Sequence, residues 1–238
     1  LKNSRAKMLG MNGTVYTDCT GMGEGNVTTA KDTALLCSEL AKYKNLTPYL
    51  TCWLDTVRDG KAELVNLNRL VRTYKGVTGM KAWGSEKAGS CIAATAEKGD
   101  MSVCVVLNGC DSQEDMNAEA KKLLNLAFDT YEIYTPELPE DMVKETVVCG
   151  GEELSVKLAP EGLYPIVIPR GTYRMVECDF TAEEKLDAPV KNGETAGEIR
   201  YTMGGEVILE GKIVACKEVK KMNFICGIKK LVYNLLSM

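Results

Sequence analysis

Val77-Thr-Gly-Met-Lys-Ala-Trp-Gly-Ser-Glu-Lys-Ala-Gly89 leads into an apolar run, Ser90-Cys-Ile-Ala-Ala-Thr-Ala96. A turn at Glu97-Lys-Gly-Asp100 follows, and then a second apolar run, Met101-Ser-Val-Cys-Val-Val-Leu107. Short apolar runs bounded by glycine-bearing turns read as strands. The stretch therefore predicts an antiparallel sheet with strands over 80–85, 91–96 and 101–107. Side chains alternate along a strand, so positions 81, 83 and 85 share one face. That face would carry a lysine, a tryptophan and a serine.

Upstream, Thr29-Ala-Lys-Asp32 reads as a capping box. It opens a helix with Ala34, Leu35, Leu40 and Ala41 on its apolar side. Residues 66–74 read as a short helix presenting Leu67, Leu70 and Val71. Ser112 caps a longer helix that runs to about Tyr131, with Asp115 three positions after the cap. Its apolar stripe is Met116, Ala120, Leu123, Leu124 and Ala127.

The composition changes at Thr135-Pro-Glu-Leu-Pro139, a stiff breaker. Beyond it, strand signals recur over 145–149, 154–158, 164–168, 173–180, 195–201 and 206–216, separated by Gly, Pro and Asn-Gly turns. Six or seven short strands so spaced predict a small all-β, sandwich-like module. From Lys220 to Met238 the spacing turns helical. Phe224, Ile225, Ile228, Leu231, Val232 and Leu235 recur every three or four residues beside Lys220, Lys221, Lys229 and Lys230. A basic amphipathic helix of this kind lies in a membrane surface, or else packs on the β module. The expectation is an α+β chain with a mixed domain over 1–139, an all-β domain over 140–216 and an amphipathic helix over 217–238.

The chain has 238 residues and no histidine, which removes Ser-His-Asp and Cys-His catalysis. Its ten cysteines never form C-x-x-C, so no zinc-knuckle or thioredoxin spacing exists, and neither metal nor cofactor is expected. Most of these cysteines sit in apolar runs and read as buried free thiols. A net charge of -4 leaves no basic surplus for neutralising phosphates, so nucleic acid is not an expected partner. No apolar run approaches the roughly 18 residues of a membrane span. The first residue is Leu1, in what reads as the end of a helix, and the expectation is a piece of a longer protein.

Several segments, in order, resemble the serine-type D-alanyl-D-alanine carboxypeptidases, the low-molecular-mass penicillin-binding proteins (peptidase S11-like). Arg5-Ala-Lys-Met-Leu-Gly-Met11 is similar to that family's Lys-Ala-x-x-Leu-Gly-Met helix end, and Tyr16-Thr-Asp-Cys-Thr-Gly-Met22 to its Phe-x-Asn-x-x-Gly-Leu segment. Thr28-Thr-Ala-Lys-Asp32 resembles the helix start that follows. Asn66-Leu-Asn-Arg-Leu70 resembles Asn-Thr-Asn-Arg-Leu, and Gly76-Val-Thr-Gly-Met-Lys81 leads into the place of the Lys-Thr-Gly motif. A β-rich domain followed by a terminal amphipathic helix is also the family layout.

The resemblance implies a β-lactamase/transpeptidase-like first domain, a location at the outer face of the cytoplasmic membrane, and peptidoglycan stem peptide or β-lactam as ligand. Lys81 would orient the substrate carboxylate, with Ala82, Trp83 and Ser85 around it. Three departures stand out. Ala82 and Trp83 replace the motif's threonine and glycine. No Ser-x-Asn occurs, and the single Ser-x-x-Lys, Ser4-Arg-Ala-Lys7, falls far from the family's acylation site. An indole at 83 would fill space meant for the peptide. The expectation is an inactive segment of a carboxypeptidase-like protein, the alternative a non-catalytic scaffold of the cell envelope.

Overall fold

The computed structural model describes residues 1–21, 23–140, 142, 144–224 and 228. The chain divides into two compact units, Leu1–Tyr131 and Glu132–Met238.

In chain order the first unit contains α1 (Lys2–Met8), α2 (Ala30–Ala41), α3 (Thr47–Leu50), β1 (Leu54–Val57), β2 (Ala62–Val65) and α4 (Leu70–Thr73). It continues with β3 (Val77–Ser85), β4 (Gly89–Lys98), β5 (Met101–Cys110) and α5 (Gln113–Thr130). Both expected caps form. The Thr29 side chain accepts from the Asp32 N–H, and Ser112 Oγ accepts from the Asp115 N–H at 3.0 Å. The three strands make one antiparallel sheet in the order β3-β4-β5. β4 is buried along most of its length. Ala93 on one face packs under Cys37, Leu40 and Ala41 of α2, beside Cys104 and Val106 of β5. Ile92, Ala94 and Ala96, on the other face, are fully buried as well. Burial on both faces requires cover on both, and α5 supplies the second with Met116, Ala120, Leu124 and Phe128.

Several elements of this unit differ from expectation, the unannounced α3 among them. The helix over 66–74 shortens to Leu70–Thr73, because the Asn66 and Asn68 side chains take up backbone N–H groups that a longer helix would need. The β1–β2 hairpin was not expected. Its residues are almost all exposed, so neither strand shows the apolar-in, polar-out alternation that marks a half-buried one.

The second unit is built from strands, as expected. They are β6 (Tyr131–Tyr134), β7 (Glu145–Cys149), β8 (Ser155–Glu161), β9 (Ile166–Pro169), β10 (Val176–Ala182), β11 (Lys185–Asp187), β12 (Thr195–Met203) and β13 (Glu206–Ala215). Six form one sheet in the order β10-β12-β13-β8-β7-β11, and β6 pairs with β9. Residues 132–139 fall in this unit. The core gathers Val156, Val190, Ile199, Tyr201, Ile213 and Val219, all buried. Tyr201 sits edge-on to Tyr134 and donates its hydroxyl proton to the Glu137 carbonyl at 2.8 Å.

The amphipathic helix expected over 217–238 does not begin where the spacing put it. Val219 and Lys221 bridge to Val190 and Gly151, and the Met222 N–H donates to the Gly150 carbonyl at 2.7 Å. These backbone groups are committed to the β module and cannot also close helical turns. Phe224 and Ile228 are helical and exposed. Ile225, Leu231, Val232 and Leu235 lie outside the described residues. No helix among the described residues is long and apolar enough to cross a membrane.

Candidate functional site

β3 lies at one edge of its sheet, so along one side its N–H and C=O groups make no ladder to a described strand. An edge strand of this kind can accept an extended peptide as an added strand. Lys81 and Ser85 are exposed on it, Trp83 is half-buried and Ala82 is buried. Three of the four expected residues therefore share one face, and Ala82 occupies the alternate, covered position opposite Ile92. Among the described residues the Lys81 ammonium has no ion-pair partner, which leaves it available to an incoming anion. The Ser85 hydroxyl oxygen accepts from the Ala88 N–H at 3.1 Å, closing the β3–β4 turn and leaving its proton free to donate outward. Within that turn, Lys87 pairs with Glu24 at 2.7 Å.

Trp83 packs against Cys37, Met80 and Ala93, in the same apolar cluster as Leu40, Ala41 and Leu50. The indole is thus part of the first unit's own packing as well as the neighbour of Lys81. Cys104 belongs to this cluster, and the neighbouring Cys37 thiol, then burial, push the Cys104 thiol up. Burial of cysteines is only partial. Cys37 and Cys91 are buried, but Cys19, Cys52, Cys149 and Cys216, in loops or at strand ends, are exposed.

Two asparagines escaped the sequence reading as site residues. Asn66 Nδ2 donates to the carbonyls of Leu50 (3.2 Å) and Cys52 (3.0 Å), and its Oδ1 accepts from the Asn68 N–H at 2.9 Å. Asn68 is fully buried. Its Oδ1 accepts from the Leu70 N–H, and its Nδ2 donates to the Gly79 carbonyl at 3.3 Å. The signal was there: two asparagines one residue apart before a short helix are side chains that bond to nearby backbone.

Two aspartates hold the approach to α2. The Asp18 carboxylate accepts from the N–H groups of Thr20, Gly21 and Gly23 and from Asn26. The Gly21 N–H, then the Asn26 amide, hold it well below the usual carboxylate range. Asp32 accepts from the Thr14 hydroxyl at 2.7 Å and the Gly13 N–H at 2.8 Å, and the Thr14 bond leads in lowering its carboxyl. Among the described residues no three His, Cys, Asp or Glu side chains gather as a metal site.

The profile of the D-alanyl-D-alanine carboxypeptidase family matches residues 1–111, and that of the penicillin-binding protein 5 C-terminal domain matches residues 128–221. The chain is 30% identical over 233 residues to D-alanyl-D-alanine carboxypeptidase DacF of Bacillus subtilis, covering 96% of this chain and 60% of that protein. It is 29% identical over 227 residues to DacC of Escherichia coli, covering 94% and 56%. In fold it is similar to penicillin-binding protein 5 from Haemophilus influenzae, with a TM-score of 0.76 at 23% identity over 92% of this chain and 64% of that one. The chain thus spans 56–60% of the length of these two curated relatives.

Proposed function

We propose, for a chain that belongs to the D-alanyl-D-alanine carboxypeptidase family, that the Lys81 face of β3 receives the terminal carboxylate of a peptidoglycan stem peptide ending in D-Ala-D-Ala. The observation that carries this reading is an exposed lysine on an edge strand with no ion-pair partner among the described residues. The ammonium neutralises and orients the carboxylate through a charge-assisted hydrogen bond. The Ser85 hydroxyl adds a donor, and the free edge of β3 aligns the peptide backbone. Trp83 stands between Lys81 and Ser85 on that face and holds the peptide further out than a glycine would.

The chemistry of the intact family, acylation of a serine by the stem peptide with release of D-alanine and then hydrolysis, needs a nucleophile and its lysine. Ser4 and Lys7 are both exposed on α1, and no described hydrogen bond joins them. The chain on its own is therefore read as a binding portion that forms no acyl-enzyme, with β-lactams as competing carboxylate ligands. The place of action is the cell envelope. Exposed Phe224 and Ile228, with the lysines around them, support contact of the C-terminal segment with an anionic lipid surface.

A second reading, a non-catalytic scaffold of the envelope, is favoured by Trp83, whose indole is packed into the protein's own core. One experiment separates site from scaffold. Backbone NMR of the chain, titrated with an N-acylated peptide ending in D-Ala-D-Ala, should move the resonances of residues 80–85. Lys81→Ala should abolish those shifts. Shifts elsewhere, or none, would favour the scaffold.

A further inference from the structure

We infer that Asn68 is a positioning residue for the carboxylate site, fixing which face of β3 carries Lys81. The inference rests on the reading that Lys81 is that site. The β3–β4 ladder is irregular between Val77 and Gly79, where Val77 pairs with Ala96 but Gly79 pairs with Thr95. One residue, Thr78, is extra on the β3 side, and its hydroxyl donates to Thr95 Oγ1 at 2.8 Å. At such a bulge an extra residue is left out of the ladder, and the strand beyond it takes its register from whatever holds the bulge. Here Asn68 Nδ2 holds the Gly79 carbonyl. Asn68 is itself held through its N–H by Asn66, which is anchored on the carbonyls of Leu50 and Cys52. Gly79 is closed in from the other side, since a Cβ there would meet Leu50 Cβ at 3.2 Å and Leu50 Cδ1 at 3.3 Å.

A slip of one residue turns every side chain of a strand to the other face. If the bulge were not held, β3 could pair one residue out. Lys81 and Trp83 would then turn to the face that Ala82 now occupies, and Ala82 to theirs. Asn68 touches no substrate in this scheme. It acts through the Gly79 carbonyl, two residues before Lys81.

Asn68→Asp tests this in the intact chain. The variant keeps the Oδ1 acceptor for the Leu70 N–H but sets a carboxylate oxygen against the Gly79 carbonyl. Without ligand, the amides of residues 81–85 should change shift and exchange faster, while those of α5 stay as in the parent. With the N-acylated D-Ala-D-Ala peptide, affinity should fall by about tenfold or more near pH 7.5. It should recover toward about pH 5.5, because burial raises the introduced carboxyl's pKa and its protonated form can donate to the Gly79 carbonyl again. The parent should show no such profile, and a merely structural loss would not reverse with pH.

Unchanged β3 amides in the variant would overturn the inference. So would unchanged affinity in the variant when Lys81→Ala abolishes binding. If Lys81→Ala leaves binding intact, the carboxylate reading fails and this inference with it, whereas the ligand-free arm still reports whether Asn68 holds the strand. Should Asn68→Asp not fold, Asn68→Ser read at low temperature carries the same ligand-free test.

Discussion

Trp83 stands two residues beyond Lys81 on the same face of β3, opposite Cys91 where Lys81 is opposite Ala93. One side chain is exposed and the other half-buried, because the indole leans into the cluster of Cys37, Met80 and Ala93. The neighbour of Lys81 on this face is thus also part of the first unit's own packing. Under the proposed function, removing the indole is expected to move binding and stability in opposite directions.

Trp83→Gly is expected to lower stability by about 2 kcal/mol, less than truncation of a fully buried aromatic but with the added flexibility of glycine in a strand. It should also tighten binding of the D-Ala-D-Ala peptide. Urea denaturation and NMR titration check the two halves. Ala82→Thr is a poor companion change, because Ala82 is buried and a larger residue overpacks its site.

No covalent adduct is expected when the chain is incubated with a β-lactam. Ser4 and Lys7 lie exposed on α1 with no described hydrogen bond between them, so nothing there activates the hydroxyl. Intact-mass spectrometry should show the unmodified mass. A stoichiometric adduct removed by Ser4→Ala would show an active nucleophile in this chain.

Much of the first unit was legible because its signals are local. Thr29 with Asp32 and Ser112 with Asp115 mark helix starts within four residues, and the apolar run through Ile92 to Ala96 marks a strand. The same holds for the Lys81 face, which follows from alternation alone. What was missed depends on distant partners. β11 is only Lys185–Asp187 and exists because it pairs in parallel with β7, some forty residues earlier in the chain. The extended path through Val219 and Lys221 is set by Val190 and Gly151, which outweigh the helical spacing after them. The role of Asn68 likewise depends on the Gly79 carbonyl, eleven residues away.

Acid should weaken the fold through Asp32. Its carboxylate is held below the ordinary range first by the Thr14 hydroxyl, so the native state binds fewer protons there than the unfolded chain. The stabilisation is complete above the unfolded value of about 3.9 and is lost as pH falls through the lower folded value. Chemical denaturation between about pH 6 and pH 2.5 should show that loss. Asp32→Asn should be less stable near neutrality and should show a smaller drop in acid. Equal acid sensitivity in the two proteins would assign the effect to other carboxylates.

Tyr201→Phe is expected to cost about 1–2 kcal/mol, since it leaves the Glu137 carbonyl without its donor and keeps the ring in the core. The urea midpoint should fall with the slope unchanged. A change below about 0.3 kcal/mol would mean that water replaces the hydroxyl at that carbonyl.

The most direct measurement compares the N-acylated D-Ala-D-Ala peptide with the same peptide carrying a C-terminal amide, each titrated into the isotopically labelled chain. If Lys81 holds a terminal carboxylate, the acid should shift the resonances of residues 80–85 and the Trp83 indole. The amide, which lacks the charge, should bind at least about tenfold more weakly. Equal binding of acid and amide, or acid binding that survives Lys81→Ala, would contradict the assignment of this strand as the carboxylate site.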